Sequence, residues 1–310
     1  MAHAVEVPPD STSRARWKLP GLDALFPYLL LAPSLLVIVG LVVYPAIDTA
    51  YVSLFQTGPM FPGSTFVGIE NYLKIAASQS FRHSLFVTLY FVAASLVITV
   101  VLGLGVALLL NEEFYGRSIV RAAVILPWAI PEIVNGMMWL WIYDPNYGIL
   151  NGILEYLGII DRYVHWLGSP FLALNMLVLA DSWKQLPLYI LIFLAALQTL
   201  PREIYEQAKV DGANSIQSFF AITLPLLRAT LLVVLALRTI FAFRTFGIVY
   251  VLTGGGPADA TKILGYHIYE ETFAFLQFGY GAALSVSLTA LVALVVLGYF
   301  WLLGRRPVQL

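Results

Sequence analysis

Glu206, Asp211 and Gly212 stand in "EQAKVDGANSIQSFFAITLP", residues 206 to 225, a polar stretch between two long apolar runs. Two carboxylates on a short helix offer acceptors to basic or amide groups of a docked protein, and a glycine supplies the left-handed backbone at which one helix ends. Such a set can recognise a partner, and Asp211 can equally serve to cap the turn of its own chain. A second set, Glu132, Asp181, Lys184, Arg238 and Arg244, lies inside apolar runs. An ion at the centre of a membrane helix costs about 2.5 to 3.5 kcal/mol on insertion scales, so each of these should face protein or water. Asp181 and Lys184, three residues apart, are expected to pair on one helical face. Glu132, beside Pro131, either caps a broken helix or meets a basic group. Arg238 and Arg244 are six residues apart, hence on different stripes of a helix, and form no simple phosphate clamp.

Catalytic constellations are missing from the sequence. There is no cysteine, which removes disulfides, thiolate metal sites and cysteine nucleophiles. His3, His83, His165 and His267 have no ligand spacing, and neither an H-E-x-x-H nor a D-x-D pattern occurs. No Gly-Lys dipeptide exists, so no phosphate-cradling G-x-x-x-x-G-K-[ST] loop does either. The chain is expected to bind no cofactor and to be no enzyme.

The elements that position these residues follow from composition. Of 310 residues, 60% are hydrophobic and 11% charged, against about 25% charged in soluble domains. The class is integral membrane, all-α, with lipid as a partner and no nucleic acid expected. Six stretches reach the roughly 20 residues that cross a bilayer core: 26–49, 84–110, 122–143, 171–198, 227–252 and 279–303. The first exceeds a signal-peptide core and lacks a clear cleavage site, so it is read as an uncleaved span. If the N-terminus is cytoplasmic, the inner segments hold Arg14, Arg16, Lys18, Arg117, Arg121, Arg202, Lys209, Arg228, Arg305 and Arg306. The outer ones hold only Lys74, Arg82, Arg162 and Lys262. This bias predicts both termini inside, with a tail at 1–24, a six-span domain at 25–304 and a short tail at 305–310. Outside, Ile149, Leu150, Ile153, Leu154 and Leu157 recur at helical spacing around Asn151 and Glu155, which predicts a short interfacial helix.

Residues 200–226 then lie in the cytoplasm. Pro201 suits the first turn of a helix and Glu203 complements its dipole. Gly212 ends that helix, and Asn214 with Gln217 has the spacing of a capping box opening the next. Eleven residues from Pro201 to Asp211 make a rod of about 16 Å, too short and too polar to span. A rigid rod in place of a loop there is either a structural surface helix or a docking surface.

The pattern Glu206, Ala208, Asp211, Gly212, Ala213, then Phe219, Ile222 and Pro225, resembles the EAA signature of permease subunits of binding-protein-dependent ABC importers. Gln207 stands where that signature usually has alanine. The segments "ILPWAIPEIVNGMMWLWIYD", "LAALQTLPREIYEQAKVDGA" and "VYVLTGGGPADATKILGYHIYEETF" are similar to the carbohydrate-uptake branch. The resemblance implies a six-helix type I ABC importer transmembrane domain in a bacterial or archaeal cytoplasmic membrane. It implies an F-type member of a heterodimer, because the chain ends "LLGRRPVQL" without the glycine-rich tail common in the G-type partner.

The same resemblance makes the 206–213 segment a coupling helix seated on an ATPase, with ATP and magnesium held by two copies of that partner. It implies an extracytoplasmic sugar-binding protein meeting segments 51–82, 144–169 and 254–276. Family sugar contacts, matched onto "WKQLPLY" and "LRTIFAFRTFG", fall at Gln185, Leu188, Arg238, Phe241, Ala242 and Thr245. Phe241 suits the apolar face of a sugar ring, and Gln185, Arg238 and Thr245 can bond hydroxyls. The cargo class is a di- or oligosaccharide of the trehalose or maltose kind, with a glycerol-phosphate-type solute as the alternative. An ion-coupled secondary transporter is the competing class; it predicts inverted repeats and leaves the cytoplasmic rod without a use.

Overall fold

A computed structural model describes residues 22–59 and 61–303. The two tails expected at the termini lie outside those residues, apart from 22–24, which already belong to the first helix. That helix, α1 (Leu22–Ile38), passes through a π turn at Val39–Val43 into α2 (Tyr44–Val52). Phe26–Val52 is one apolar run of 27 residues, long enough to cross a bilayer, as expected from its composition. Of the described residues, 22–49 belong to a unit of their own.

The rest of the chain forms the second unit. It opens with a two-stranded antiparallel hairpin, β1 (Phe55–Gly58) and β2 (Phe61–Phe66), in which Phe55 opposes Phe66 and Gln56 opposes Thr65. Asn71, at the start of α3 (Glu70–Ala77), fastens the entry to the hairpin by donating to the carbonyls of Ser53 and Phe55 at 2.9 and 3.0 Å. Two long helices make the core: α4 (Gln79–Asn111) and α8 (Pro170–Leu197). The buried face of α4 reads Ser84, Val87, Thr88, Phe91, Val92, Ser95, Thr99, Gly103, Leu104, Ala107 and Leu110, a recurrence every three to four residues. Small and hydroxylated residues fill much of that face. In lipid, where apolar burial alone gives helices no reason to associate, such residues let backbones approach and pack. Gly103 illustrates it: a Cβ there would rest 3.6 Å from both Leu186 and Phe193 of α8.

Two of the six expected spans are not single helices. The stretch expected at 122–143 is α5 (Arg117–Ile125), a 3-10 turn at Leu126–Ala129 and α6 (Glu132–Ile142), bent by 100°. Pro131 is the cause: it has no N–H to give and disfavours the helical conformation at Ile130, which is extended with ψ 129°. The fifth, expected at 227–252, begins with α10 (Ser215–Ser218), a π turn and α11 (Leu224–Leu226), then bends 68° into α12 (Arg228–Phe243). It stops at Arg244, and a separate helix, α13 (Gly247–Leu252), follows. The second, fourth and sixth spans hold as expected, the last as α15 (Phe278–Leu303).

The short helix expected around Asn151 exists as α7 (Ile149–Tyr156). Asn151 points inward, while Ile149, Ile153 and Leu157 are exposed. The reason is hydrogen bonding. Asn151 Oδ1 accepts from the Val164 N–H at 3.1 Å and from Trp166 Nε1 at 2.9 Å, and Nδ2 donates to the Val164 carbonyl at 3.1 Å. One side chain thus satisfies both backbone groups of a loop residue 13 positions away. Replacing Asn151 with leucine should leave two donors unpaired and cost about 1 to 3 kcal/mol for each. Protease sensitivity across 157–166 should rise accordingly, and an unchanged cleavage pattern would contradict this role.

Candidate functional site

The rod expected in the cytoplasm is α9 (Arg202–Val210), nine residues long. Pro201 precedes it as the N-cap residue, one position earlier than expected, with ψ 132°. Its C-terminus is a Schellman turn: the Gly212 N–H donates to the Lys209 carbonyl at 3.1 Å and the Ala213 N–H to the Ala208 carbonyl at 2.9 Å. Such a turn requires its glycine to be left-handed, and Gly212 has φ +81°. Ala208 and Ala213, the residues that bond across the turn, are both half-buried. The capping box then opens α10: the Gln217 N–H donates to Asn214 Oδ1 at 2.9 Å, and the Asn214 N–H to Gln217 Oε1 at 2.8 Å. The signature residues therefore specify a rigid helix, turn and helix.

Two further contacts fix the rod to the membrane part. The hydroxyls of Tyr205 and Thr223 lie 3.0 Å apart, tying α9 to the π turn before α11. Arg202 meets Glu113 at 3.2 Å, an exposed pair of small worth. The opposite face is open. Glu203, Glu206, Gln207, Val210 and Asp211 line a shallow concavity of about 500 Å³, and Val210 is 88% exposed. The surface is acidic at its rim with one apolar side chain, a shape suited to basic and apolar groups of another protein.

The residues expected along the pathway separate into two groups. Gln185 and Leu188 on α8 are half-buried and Phe241 on α12 is exposed, whereas Arg238, Ala242 and Thr245 are buried within the chain. Thr245 Oγ1 donates to the Phe241 carbonyl at 3.1 Å. Arg238 has a fully buried side chain, and its Nη2 donates to Asp181 Oδ2 at 2.5 Å. This overturns the expected pairing of Asp181 with Lys184. Asp181 points into the helix packing, where a guanidinium from α12 offers a charge-assisted bond that Lys184, half-buried on its own helix, does not. Arg238 Nε and Nη1 and the Tyr189 hydroxyl have no partner although buried.

Glu132 acts as a cap, though of a different helix from its own. Its Oε1 accepts from the Ile248 N–H at 3.2 Å, at the start of α13. Gly247 is what admits the carboxylate, since a Cβ there would stand 3.0 Å from Glu132 Cδ. The bent halves of the third and fifth spans are joined by this contact and by Gly136, whose missing Cβ makes room for Val251. Glu132→Leu should lose the cap and cost about 1 to 2 kcal/mol, while Glu132→Gln should retain most of it. Thermal midpoints of the purified protein would check the order.

The glycine motif at 253–257 makes a turn, with Gly254 at φ +57° and Gly255 at φ +83°. Thr261 Oγ1 closes it, 2.7 Å from Thr253 Oγ1 and 2.8 Å from the Gly256 carbonyl. The following helix, α14 (Leu264–Tyr269), is held by Thr88 of α4, whose Oγ1 accepts from the Leu264 N–H at 2.8 Å. Beside it Lys262 pairs with Glu270. His267 is buried there; burial first, and the Lys262 charge with it, hold its pKa down at about 4, so it is neutral at pH 7.

Among the described residues no group of histidines and carboxylates could hold a metal ion. Comparison with known proteins places the whole arrangement. Residues 99–306 match the family described as binding-protein-dependent transport system inner membrane component. The chain is 41% identical to the trehalose/maltose transport system permease protein MalF of Thermococcus litoralis, over 89% of this chain and 92% of that one. It is 37% identical to the sulfoquinovosyl glycerol transport system permease protein SmoG of Agrobacterium fabrum, over 92% of each. Its fold matches a chain of a bacterial ABC transporter for the acidic polysaccharide alginate, with a TM-score of 0.79 over 92% of this chain and 97% of that one, at 21% identity. The secondary-transporter reading is not favoured by any of these. The chain belongs to the family of binding-protein-dependent transport system inner membrane components, the permease subunits of ABC importers.

Proposed function

We propose that this subunit forms half of the pathway by which a di- or oligosaccharide of the trehalose or maltose class enters the cell, and that α9 relays the motion of a cytoplasmic ATPase. The observation that carries the reading is the 41% identity to a trehalose/maltose permease over most of both chains. The geometry of α9 supports the coupling role: a nine-residue rod is pinned on one side by Tyr205 and offers an acidic concavity on the other. The partners of this reading are a G-type permease, two copies of the ATPase holding ATP and magnesium, and an extracytoplasmic sugar-binding protein. A related alginate importer is known in complex with a periplasmic protein carrying its cargo, which favours the last of these. In this reading both termini face the cytoplasm, which the lysine and arginine bias supports.

A second cargo reading has support of its own. Permeases named for sn-glycerol-3-phosphate are 35% and 36% identical to this chain. Asp181 cancels the charge of Arg238, which takes away the in-span group best placed to meet a phosphate. The test is uptake by vesicles containing the full complex and its binding protein, with labelled trehalose, maltose, sulfoquinovosyl glycerol and glycerol 3-phosphate. ATP-dependent uptake of trehalose or maltose is expected. Uptake confined to glycerol 3-phosphate would establish the second reading, and uptake driven by a proton gradient without ATP would overturn both.

A further inference from the structure

The short helix α7 turns one side to its own chain and keeps another free. Asn151 is buried, Leu150 and Leu154 beside it are half-buried, and Leu150 packs on the main core. Ile149, Ile153, Tyr156 and Leu157, at steps of four, seven and eight residues, form a separate stripe about 100° wide, and all four are exposed. Glu155, the one charged residue of the helix, lies on the far flank from that stripe. Tyr147, Ile149, Ile153, Tyr156, Leu157 and Tyr163 line a shallow concavity of about 360 Å³, floored by Gly148 and Gly152. No charged side chain lines it.

Hydrogen bonds fix the level at which this stripe sits. The Gly148 N–H and Asn151 Nδ2 both donate to the Asp144 carbonyl, at 3.0 and 3.3 Å, two residues past the end of α6. Contact there is close: a Cβ at Gly148 would stand 2.4 Å from the Asp144 carbonyl oxygen and 2.6 Å from that of Ile142. On the other side Asn151 Oδ1 accepts from Trp166 Nε1 at 2.9 Å, four residues before α8 opens at Pro170. The helix is therefore held where one span ends and the next begins. Tyrosine and tryptophan collect at that level of a bilayer, with rings at the headgroup boundary. Trp141, exposed in the last turn of α6, and Tyr147, Tyr156 and Tyr163 supply four such rings around aliphatic side chains. A soluble partner that comes and goes would leave the stripe in water between encounters, whereas lipid covers it at all times.

We propose that α7 is an interfacial anchor whose concavity holds the upper part of a phospholipid acyl chain, recognised by its hydrocarbon and not by headgroup charge. The stripe lies about 5 to 10 Å into the boundary between headgroups and chains, the depth usual for an apolar helix face in a membrane surface. Asn151 orients the anchor: the bonds that bury its amide turn Ile149, Ile153 and Leu157 away from the chain.

The chain has no cysteine, so Ile153→Cys and Glu155→Cys each take a single bimane fluorophore, once accessible cysteines of the other subunits are replaced. The whole complex is placed in nanodiscs of phosphatidylcholine, with or without phosphatidylglycerol. Quenchers are phosphatidylcholine brominated near the top of its chains, the same lipid brominated near their ends, and iodide in the water. At position 153 the shallow bromines should quench at least about twofold more than the deep ones, and iodide should have little effect. At position 155 iodide should quench strongly. Phosphatidylglycerol should change neither pattern. Iodide quenching at 153 equal to that at 155 would place the stripe in water and overturn the proposal. Protection of 153 from all three quenchers would mean that another protein covers it, which overturns the proposal as well. Lipid quenching that requires phosphatidylglycerol would contradict recognition by hydrocarbon alone.

Discussion

Asp181→Leu alone should prevent accumulation of a folded complex, and should do so more completely than Arg238→Met alone. Removing one partner of a buried ion pair costs about 3 to 5 kcal/mol, because the remaining charge stays away from water without compensation. The two single variants are unequal for a chemical reason. A lone guanidinium is always charged, whereas a lone carboxyl can take up a proton and become a neutral hydrogen-bonding group. Arg238 is fully buried, so the protein has no conformation near the observed one in which that charge reaches water cheaply. Yield of monodisperse complex on size exclusion, compared across the two single variants and the wild type, measures the order. Equal yields for all three would mean that the pair is solvated in the membrane-embedded protein.

Gly212→Val should abolish import while leaving insertion intact. The backbone at Gly212 has φ +81°, a region that costs a β-branched residue roughly 1 to 3 kcal/mol. Space is not the obstacle, since a Cβ at Gly212 would meet nothing within 4 Å. The strain therefore acts on the turn itself: relaxing φ breaks the bonds from Gly212 to Lys209 and from Ala213 to Ala208, and α9 loses its fixed angle to α10. Gly212→Asn, which tolerates the left-handed region, should keep substantial uptake. Transport divided by ATP hydrolysis is the relevant ratio, expected to fall at least tenfold for valine and less than threefold for asparagine. A valine variant with normal coupling would show that the turn is not the transmitting element.

Much of the segment at 200–226 was legible because its determinants are local. A glycine at the helix end, an asparagine two residues on and a glutamine three beyond that define a Schellman turn and a capping box without help from the rest of the chain. Four spans were legible for a similar reason: a run of 25 or more apolar residues has few alternatives in lipid. What local pattern could not supply was the partner of a charged residue. Asp181 had a cation three residues away on its own helix, yet it pairs with one 57 residues distant, because inter-helix packing decided which way the carboxylate faced. The same applies to Asn151, whose partners lie 13 and 15 positions on, and to Glu132, which caps a helix 116 positions on. The break at Ile130 and Pro131 had a visible signal in the proline, but apolar residues on both sides let the stretch pass for one continuous span. The hairpin at 55–66 rests on pairing between short strands and on contacts with the start of α15, neither of which has a periodic signature.

In the proposed assembly α9 sits against a nucleotide-hydrolysing subunit, and the chain's lack of cysteine allows a direct measurement. Val210→Cys places a single thiol on the exposed concavity of α9. With a short thiol-to-amine cross-linker in membranes containing the whole complex, a covalent product of this chain with the ATPase is predicted, its yield changing when ATP or a nonhydrolysable analogue is added. A product only with the extracytoplasmic binding protein, or none with any nucleotide-binding subunit, would contradict the account.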